Sequence, residues 1–176
     1  MTTREITLAV EYGGTGLDDT PTVKPMPLDT TADSHERPAS AVRTIGTVAT
    51  TSGSPAAVWA LLADASAWPR WGGWSKVEVE GGGEHGPGAV RVLERAPFRV
   101  RELVTEWVPG ELQGYELLDG LKVRGYRSTV SLEPAADGGT VVRWRSTYEH
   151  AGPLTALMLR LSVRDASRRL AKAASV

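Results

Sequence analysis

The residues best suited to chemistry gather toward the end of the chain. Over residues 140–150, TVVRWRSTYEH, the side chains of Trp144, Ser146, Tyr148 and His150 share the parity of Val142, whereas Arg143, Arg145, Thr147 and Glu149 take the other. In a strand that parity assigns the first set to the inward face. Polar atoms on an otherwise apolar face must be satisfied by protein, water or ligand, so this set marks a site. Tyr148 and His150 are the leading candidates for proton transfer; the competing reading of His150 is an exposed strand-end residue beside Gly152 and Pro153. Tyr126 and Ser128 share the inward parity of Val130, and Tyr115 that of Leu117.

A second set lies in residues 98–108, FRVRELVTEWV, where the apolar residues do not choose one parity. Val100 and Val104 go with Glu102 and Glu106, while Leu103 and Trp107 go with Arg99 and Arg101. An inward Arg101 would bind a ligand carboxylate or polarise a carbonyl. An inward Glu102 in an apolar cavity would have a raised pKa and serve as acid or base. Solvated cross-strand ion pairs are the plainer alternative. Arg91, between Val90 and Val92, points outward if the valines point in.

Four of the six tryptophans fall in residues 58–77, VWALLADASAWPRWGGWSKV. Trp59 sits on a helix at core spacing and reads as packing. Trp68, Trp71 and Trp74 flank Pro69 and the Gly72-Gly73 pair, and each indole N–H needs a partner if buried. Either they seal small helices onto the sheet or they line a site.

Composition narrows the classes. The 176 residues, 41% apolar and 23% charged, suit one soluble globular domain. Without cysteine the chain has no disulfide, thiolate zinc site or Cys nucleophile. His35, His85 and His150 lack ligand spacing, so no metal or cofactor is expected. A formal net charge of −1 argues against nucleic acid as a partner. No apolar run reaches the roughly 18–20 residues of a membrane span, and the N-terminus lacks a signal-peptide pattern, so a cytoplasmic protein without stable membrane insertion is expected. Residues 1–41 carry seven acidic and three basic side chains and read as an acidic leader, tail or lid, in which Ile6, Leu8, Val10 and Tyr12 alternate as an edge strand would. The domain proper then spans 42–176.

The elements that must position these residues follow from local pattern. VRTIGTVAT near residue 42 is a strand, and Ser54 before Pro55 caps a helix through PAAVWALLAD. Asp64 or Ser66 caps a second short turn, limited by Pro69. SKVEVEG is a strand, and after the loop GGGEHGPG five further strand-like stretches alternate with turn signals in an antiparallel meander. That loop joins strands, which excludes a phosphate loop but suits a gate. From Pro153 a helix runs for about twenty residues with a stripe of Leu154, Leu157, Met158 and Leu161, for which the apolar face of the sheet is the natural cover. Arg160, Arg164, Arg168 and Lys172 form a basic stripe that reads as a solvated face.

VWALLADASAWPRW followed by SKVEVE, then ELVTEWVPGELQGYEL, then YRSTVSLEPAADGGTVVRWRSTYE, together resemble the START/Bet v 1-like superfamily, in particular its polyketide cyclase/dehydrase (SRPBCC) branch. The resemblance covers residues 42–172. It implies an α+β helix-grip fold: a curved antiparallel sheet of about seven strands around a long C-terminal helix, with two short helices after the first strand. An elongated cavity between sheet and helix would hold an apolar ligand, with Trp71, Trp74 and Trp68 near its mouth and Tyr115, Tyr126, Ser128, Trp144, Ser146, Leu154 and Met158 as contacts. The function so implied is binding of a small hydrophobic, aromatic or polyketide-like molecule in secondary metabolism. Cofactor-free cyclisation or dehydration would be assisted by Tyr148, His150 and one of Glu102 or Arg101. A carrier without chemistry and a cochaperone-like interaction module are the alternatives, and the protein would act as monomer or homodimer.

Overall fold

The computed structural model describes residues 41–80 and 85–175. The expected leader strand and linker, His35, and the first half of the proposed gate loop lie outside the described residues.

Strand β1 (Arg43–Thr51) leads into helix α1 (Pro55–Ala63). Ser54 Oγ accepts the Ala57 N–H at 3.3 Å and Pro55 occupies the first turn, as the sequence dictates. Asp64 caps the following 3-10 turn through the Ser66 N–H, and α2 (Trp68–Trp71) completes the pair of short helices. The strands β2 (Lys76–Val79), β3 (Val90–Arg95), β4 (Phe98–Val108) and β5 (Leu112–Asp119) follow. Next come β6 (Val123–Arg124), β7 (Arg127–Pro134), β8 (Thr140–Tyr148) and β9 (His150–Ala151), before helix α3 (Pro153–Ala174). Seven strands form one antiparallel sheet in the order β1-β8-β7-β5-β4-β3-β2, and β6 pairs with β9 separately. This is the helix-grip arrangement.

A β-bulge at Thr105 resolves the mixed parity of β4; the other irregularity of this strand pair has its extra residue, Leu118, in β5. Register shifts fall between Arg101 and Glu102 and between Val104 and Glu106. An extra residue in one strand turns the side chains beyond it to the opposite face. Val100, Glu102 and Val104 alternate inward before the bulge and are buried, while Trp107 beyond it meets Trp59 of α1 edge-on with centroids 5.0 Å apart. Arg101 is on the outer side, bonded to Glu80 and Asp119 at 2.7–2.9 Å.

Helix α3 is rotated from the expected stripe. Leu154, Leu157 and Leu161 are 71%, 53% and 55% exposed, while Leu159, Val163, Ser167, Leu170, Ala171 and Ala174 face inward. Small residues let the helix end lie against the β1–α1 turn, a closeness that leucines would prevent. Gly53 marks the contact: a Cβ there would overlap the Ala174 carbonyl. Hydroxyls stitch the same corner, with Thr140 Oγ1 donating to the Gly53 carbonyl at 2.7 Å and Ser175 Oγ donating to the Ala171 carbonyl at 2.9 Å. Gly53→Ala is expected to lower stability by about 1–3 kcal/mol through overpacking. Urea unfolding checks this, and an unchanged midpoint would mean that the helix end is not held tightly.

Candidate ligand-binding site

A cavity of about 450 Å³ lies between the sheet and α3, within the size range of small-molecule sites. Its existence follows from side-chain size. On the flank of α3 that faces the sheet, Thr155 and Ala166 are too short to fill the gap, while Met158, Leu159 and Val163 reach in. The floor is built from buried inward residues of adjacent strands: Leu93 of β3, Val100 and Glu102 of β4, Gln113 and Tyr115 of β5, Tyr126 before β7 and Trp144 of β8. Trp68, Trp71 and Trp74 close one side. The rim is formed by exposed residues, among them Arg95, Phe98, Ser162 and Asp165.

The three tryptophans reach the wall for different reasons. Trp68 is buried, and its indole N–H is shared by the Leu61 and Leu62 carbonyls at 3.1 and 3.2 Å. Trp71 packs on Trp68 with centroids 6.0 Å apart, and its Nε1 is buried without a hydrogen-bond partner among the described residues. Trp74, two residues past the helical turn, is half-buried at the side of the opening.

One charged pair stands among these apolar walls. The strand register puts Arg91 opposite Glu102, and Arg91 Nη2 donates to Glu102 Oε2 at 3.2 Å. The guanidinium is 1% exposed and the carboxylate residue 8%. Arg91 Cζ also lies 4.5 Å from the Trp68 ring centroid and 5.1 Å from that of Tyr115, a cation–π arrangement. Burial pushes the Glu102 carboxyl above its ordinary value of 4.5 and the Arg91 guanidinium below its ordinary value, and the attraction between them opposes both shifts. The Tyr115 phenol is held well above 10 and that of Tyr126 is raised, in both cases chiefly by burial.

The polar atoms of the last strands satisfy one another. Trp144 Nε1 donates to Ser128 Oγ at 2.8 Å, Ser128 and Ser146 hydroxyls bond at 2.8 Å, and Ser146 bonds Tyr126 Oη at 3.1 Å. Ser128 and Ser146 thus stand behind the wall and fix the aromatic rings that form it.

Several sequence expectations need correction. Tyr148 is buried in the main core with Ile45 and Val142 and does not line the cavity, because α3 and the residues around Ala151 cover its end of β8. His150 is exposed on β9, paired in register with Arg124, since the chain leaves the large sheet at Glu149. Arg101 points away from the cavity, and Leu154 faces solvent for the reason given above. Arg91 points inward, contrary to the valine argument. Val92 beside it is buried as well, so burial of neighbours did not fix the parity. Gln113 escaped notice although it shares the parity of Tyr115, a signal that would have found it; its Nε2 is buried with no partner among the described residues. Among the described residues no cluster of His, Asp and Glu is arranged to hold a metal ion, and no helix is long and apolar enough to cross a membrane.

A sheet gripping its C-terminal helix over a largely apolar cavity is the architecture of the helix-grip proteins, whose common property is a hydrophobic-ligand cavity. Residues 43–175 match the family described as polyketide cyclase / dehydrase and lipid transport, and the chain belongs to that family, within the START/Bet v 1-like superfamily. Comparison with curated proteins found no significant match. Among solved structures, XoxI from Bacillus cereus is 20% identical, with 74% of this chain and 94% of that one covered and a TM-score of 0.63. A protein from Nitrosospira multiformis is 17% identical, with 76% and 97% covered and a TM-score of 0.66. Ara h 8.0201 is 18% identical, with 75% and 97% covered and a TM-score of 0.61. At these identities the likeness shows the fold alone.

Proposed function

We propose that the protein binds a small, largely apolar aromatic or polyketide-like molecule in the sheet–helix cavity and catalyses its cyclisation or dehydration by proton transfer at Glu102. The observation that carries this reading is a buried carboxylate on the wall of a largely apolar cavity, with two buried phenols on the same floor. Burial favours a proton on Glu102 and so makes its carboxylate a stronger base than one in water. In a chain of alternating carbonyl and methylene groups, Glu102 would take a proton from a methylene carbon. The enolate carbon then bonds to a second carbonyl carbon of the same molecule, and that oxygen receives a proton to become a hydroxyl. Loss of water and enolisation of the remaining ring ketones complete an aromatic ring. The Tyr115 and Tyr126 phenols, kept protonated by burial, are suited to donate to the developing oxyanion. Gln113 Nε2 and Trp71 Nε1 offer donors to ligand carbonyls. The aromatic walls would hold the chain folded in a near-attack shape. Proton transfer alone requires no cofactor.

A carrier without chemistry is the second reading. It is favoured by the engagement of Glu102 with Arg91 and by the self-satisfied hydroxyls behind the wall. Both readings require the cavity to bind. Native mass spectrometry of protein purified from its own source should show a bound small molecule, and N-phenyl-1-naphthylamine should gain fluorescence on binding. Ala166→Trp, which fills the cavity from α3, should abolish that gain. No bound molecule, together with no response to the dye, would remove both readings.

A further inference from the structure

Two arginines converge on one point of the cavity rim. Gly73, on the cavity wall with φ +80°, has no side chain, and the position that a Cβ would take there lies 3.6 Å from Arg95 Nη1 and 3.6 Å from both Cζ and Nη1 of Arg169. The two guanidinium groups therefore border the same small space, one reaching it from the end of β3 and one from α3. Arg169 is anchored by Asp165, whose Oδ2 accepts from its Nε at 2.6 Å. Arg95 has no carboxylate partner among the described residues, since the neighbouring Glu94 pairs with Arg99 at 3.4 Å. Two like charges brought together with one counter-charge leave the rim with an excess of positive charge and several N–H donors directed at one place.

The interior has no such excess. The Glu102 carboxylate on the floor is paired with Arg91, so the pair adds no net positive charge there, and taking an anion out of water into a largely apolar cavity without a free counter-charge is costly. A fully charged group is therefore better placed at the rim.

We infer that Arg95 and Arg169 form an anion-recognising rim over Gly73, and that the ligand is an amphiphile whose neutral apolar body enters the cavity while a phosphate, sulfonate or carboxylate group stays at the mouth. This rests on the cavity binding an apolar molecule, and it adds the chemical class and the direction of entry. Gly73 is part of the device, because a side chain there would occupy the place of the anion.

A matched pair of dyes separates this inference from the reading beneath it. 8-Anilinonaphthalene-1-sulfonate carries an aromatic body and one sulfonate, and N-phenyl-1-naphthylamine is the same body without the charge. Arg95→Gln and Arg169→Gln are each expected to weaken the sulfonate dye by about fivefold and to leave the neutral dye within about twofold. Asp165→Asn, which releases Arg169 from its intrahelical partner, should tighten the sulfonate dye by about twofold, and about 0.5 M salt should reduce the arginine effect. The neutral dye doubles as the folding control for every variant. If it binds and the sulfonate dye is unmoved by both arginine substitutions, the rim inference is overturned while the cavity reading stands. If the wild-type protein binds neither dye, both fall.

Discussion

Arg91→Ala is expected to destabilise the protein by about 3–5 kcal/mol, because it leaves the Glu102 carboxylate buried without its counter-charge. The Arg91 guanidinium lies against the rings of Trp68 and Tyr115, and its removal leaves Glu102 facing a largely apolar cavity with no other cation bonded to it among the described residues. The magnitude comes from the unpaired charge, and a second variant isolates that cause. In Arg91→Met/Glu102→Leu both charges are replaced by apolar groups of similar reach, and buried ion pairs exchanged in this way are often neutral or stabilised. The double variant should therefore unfold in urea within about 1 kcal/mol of the wild type, far above the single variant. If it is as unstable as Arg91→Ala, the pair is needed for packing and not merely for charge balance. Retention of so costly a pair at the cavity wall, where apolar residues would be stable, fits a role in the site.

Glu102→Gln should lower turnover by about 10²–10⁴-fold, the usual contribution of a positioned general base. The amide keeps the shape of the side chain and can still accept the Arg91 N–H, but it cannot take a proton. Cyclisation of a poly-β-ketone, followed by the absorbance of the aromatic product, is the measurement. N-phenyl-1-naphthylamine binding should stay within about threefold of wild type, which separates loss of chemistry from loss of the cavity. The pH dependence gives an independent sign. A base works only when deprotonated, and the Glu102 carboxyl is held above 4.5, so the wild-type rate should rise with pH through that elevated value and level off above it. Equal turnover by the Gln variant would remove Glu102 as base and leave the carrier reading.

The elements were legible because their causes are local. Ser54-Pro55 opens α1, Asp64 caps the next turn, and Pro153 begins α3, each through backbone groups within a few residues. The last two long strands alternate cleanly, and Trp144, Tyr126 and Tyr115 took inward positions that parity had assigned. The site was read less well. Tyr148 and His150 have the expected residue types near the expected strand, but the cavity ends before them. Gln113 at the floor, and Arg91, buried and bonded to Glu102, are not singled out as site residues by strand parity alone.

By itself the sequence determined the order of the long strands and helices, the caps that start them and the antiparallel meander, since periodicity, capping and turn chemistry are properties of neighbouring residues; the superfamily was legible as a resemblance of whole stretches to a known family. Which face of β3, of the end of β4 and of α3 turns inward was decided only in three dimensions. The bulge in β4 set the direction of Trp107, the register of β3 on β4 gave Arg91 its partner Glu102, and the close approach of Ala174 to Gly53 set the rotation of α3. The convergence of Arg95 and Arg169 above Gly73 joins residues from three separate parts of the chain. A cavity is the space that side chains from distant elements fail to fill, and such a failure is recorded in no single stretch of residues.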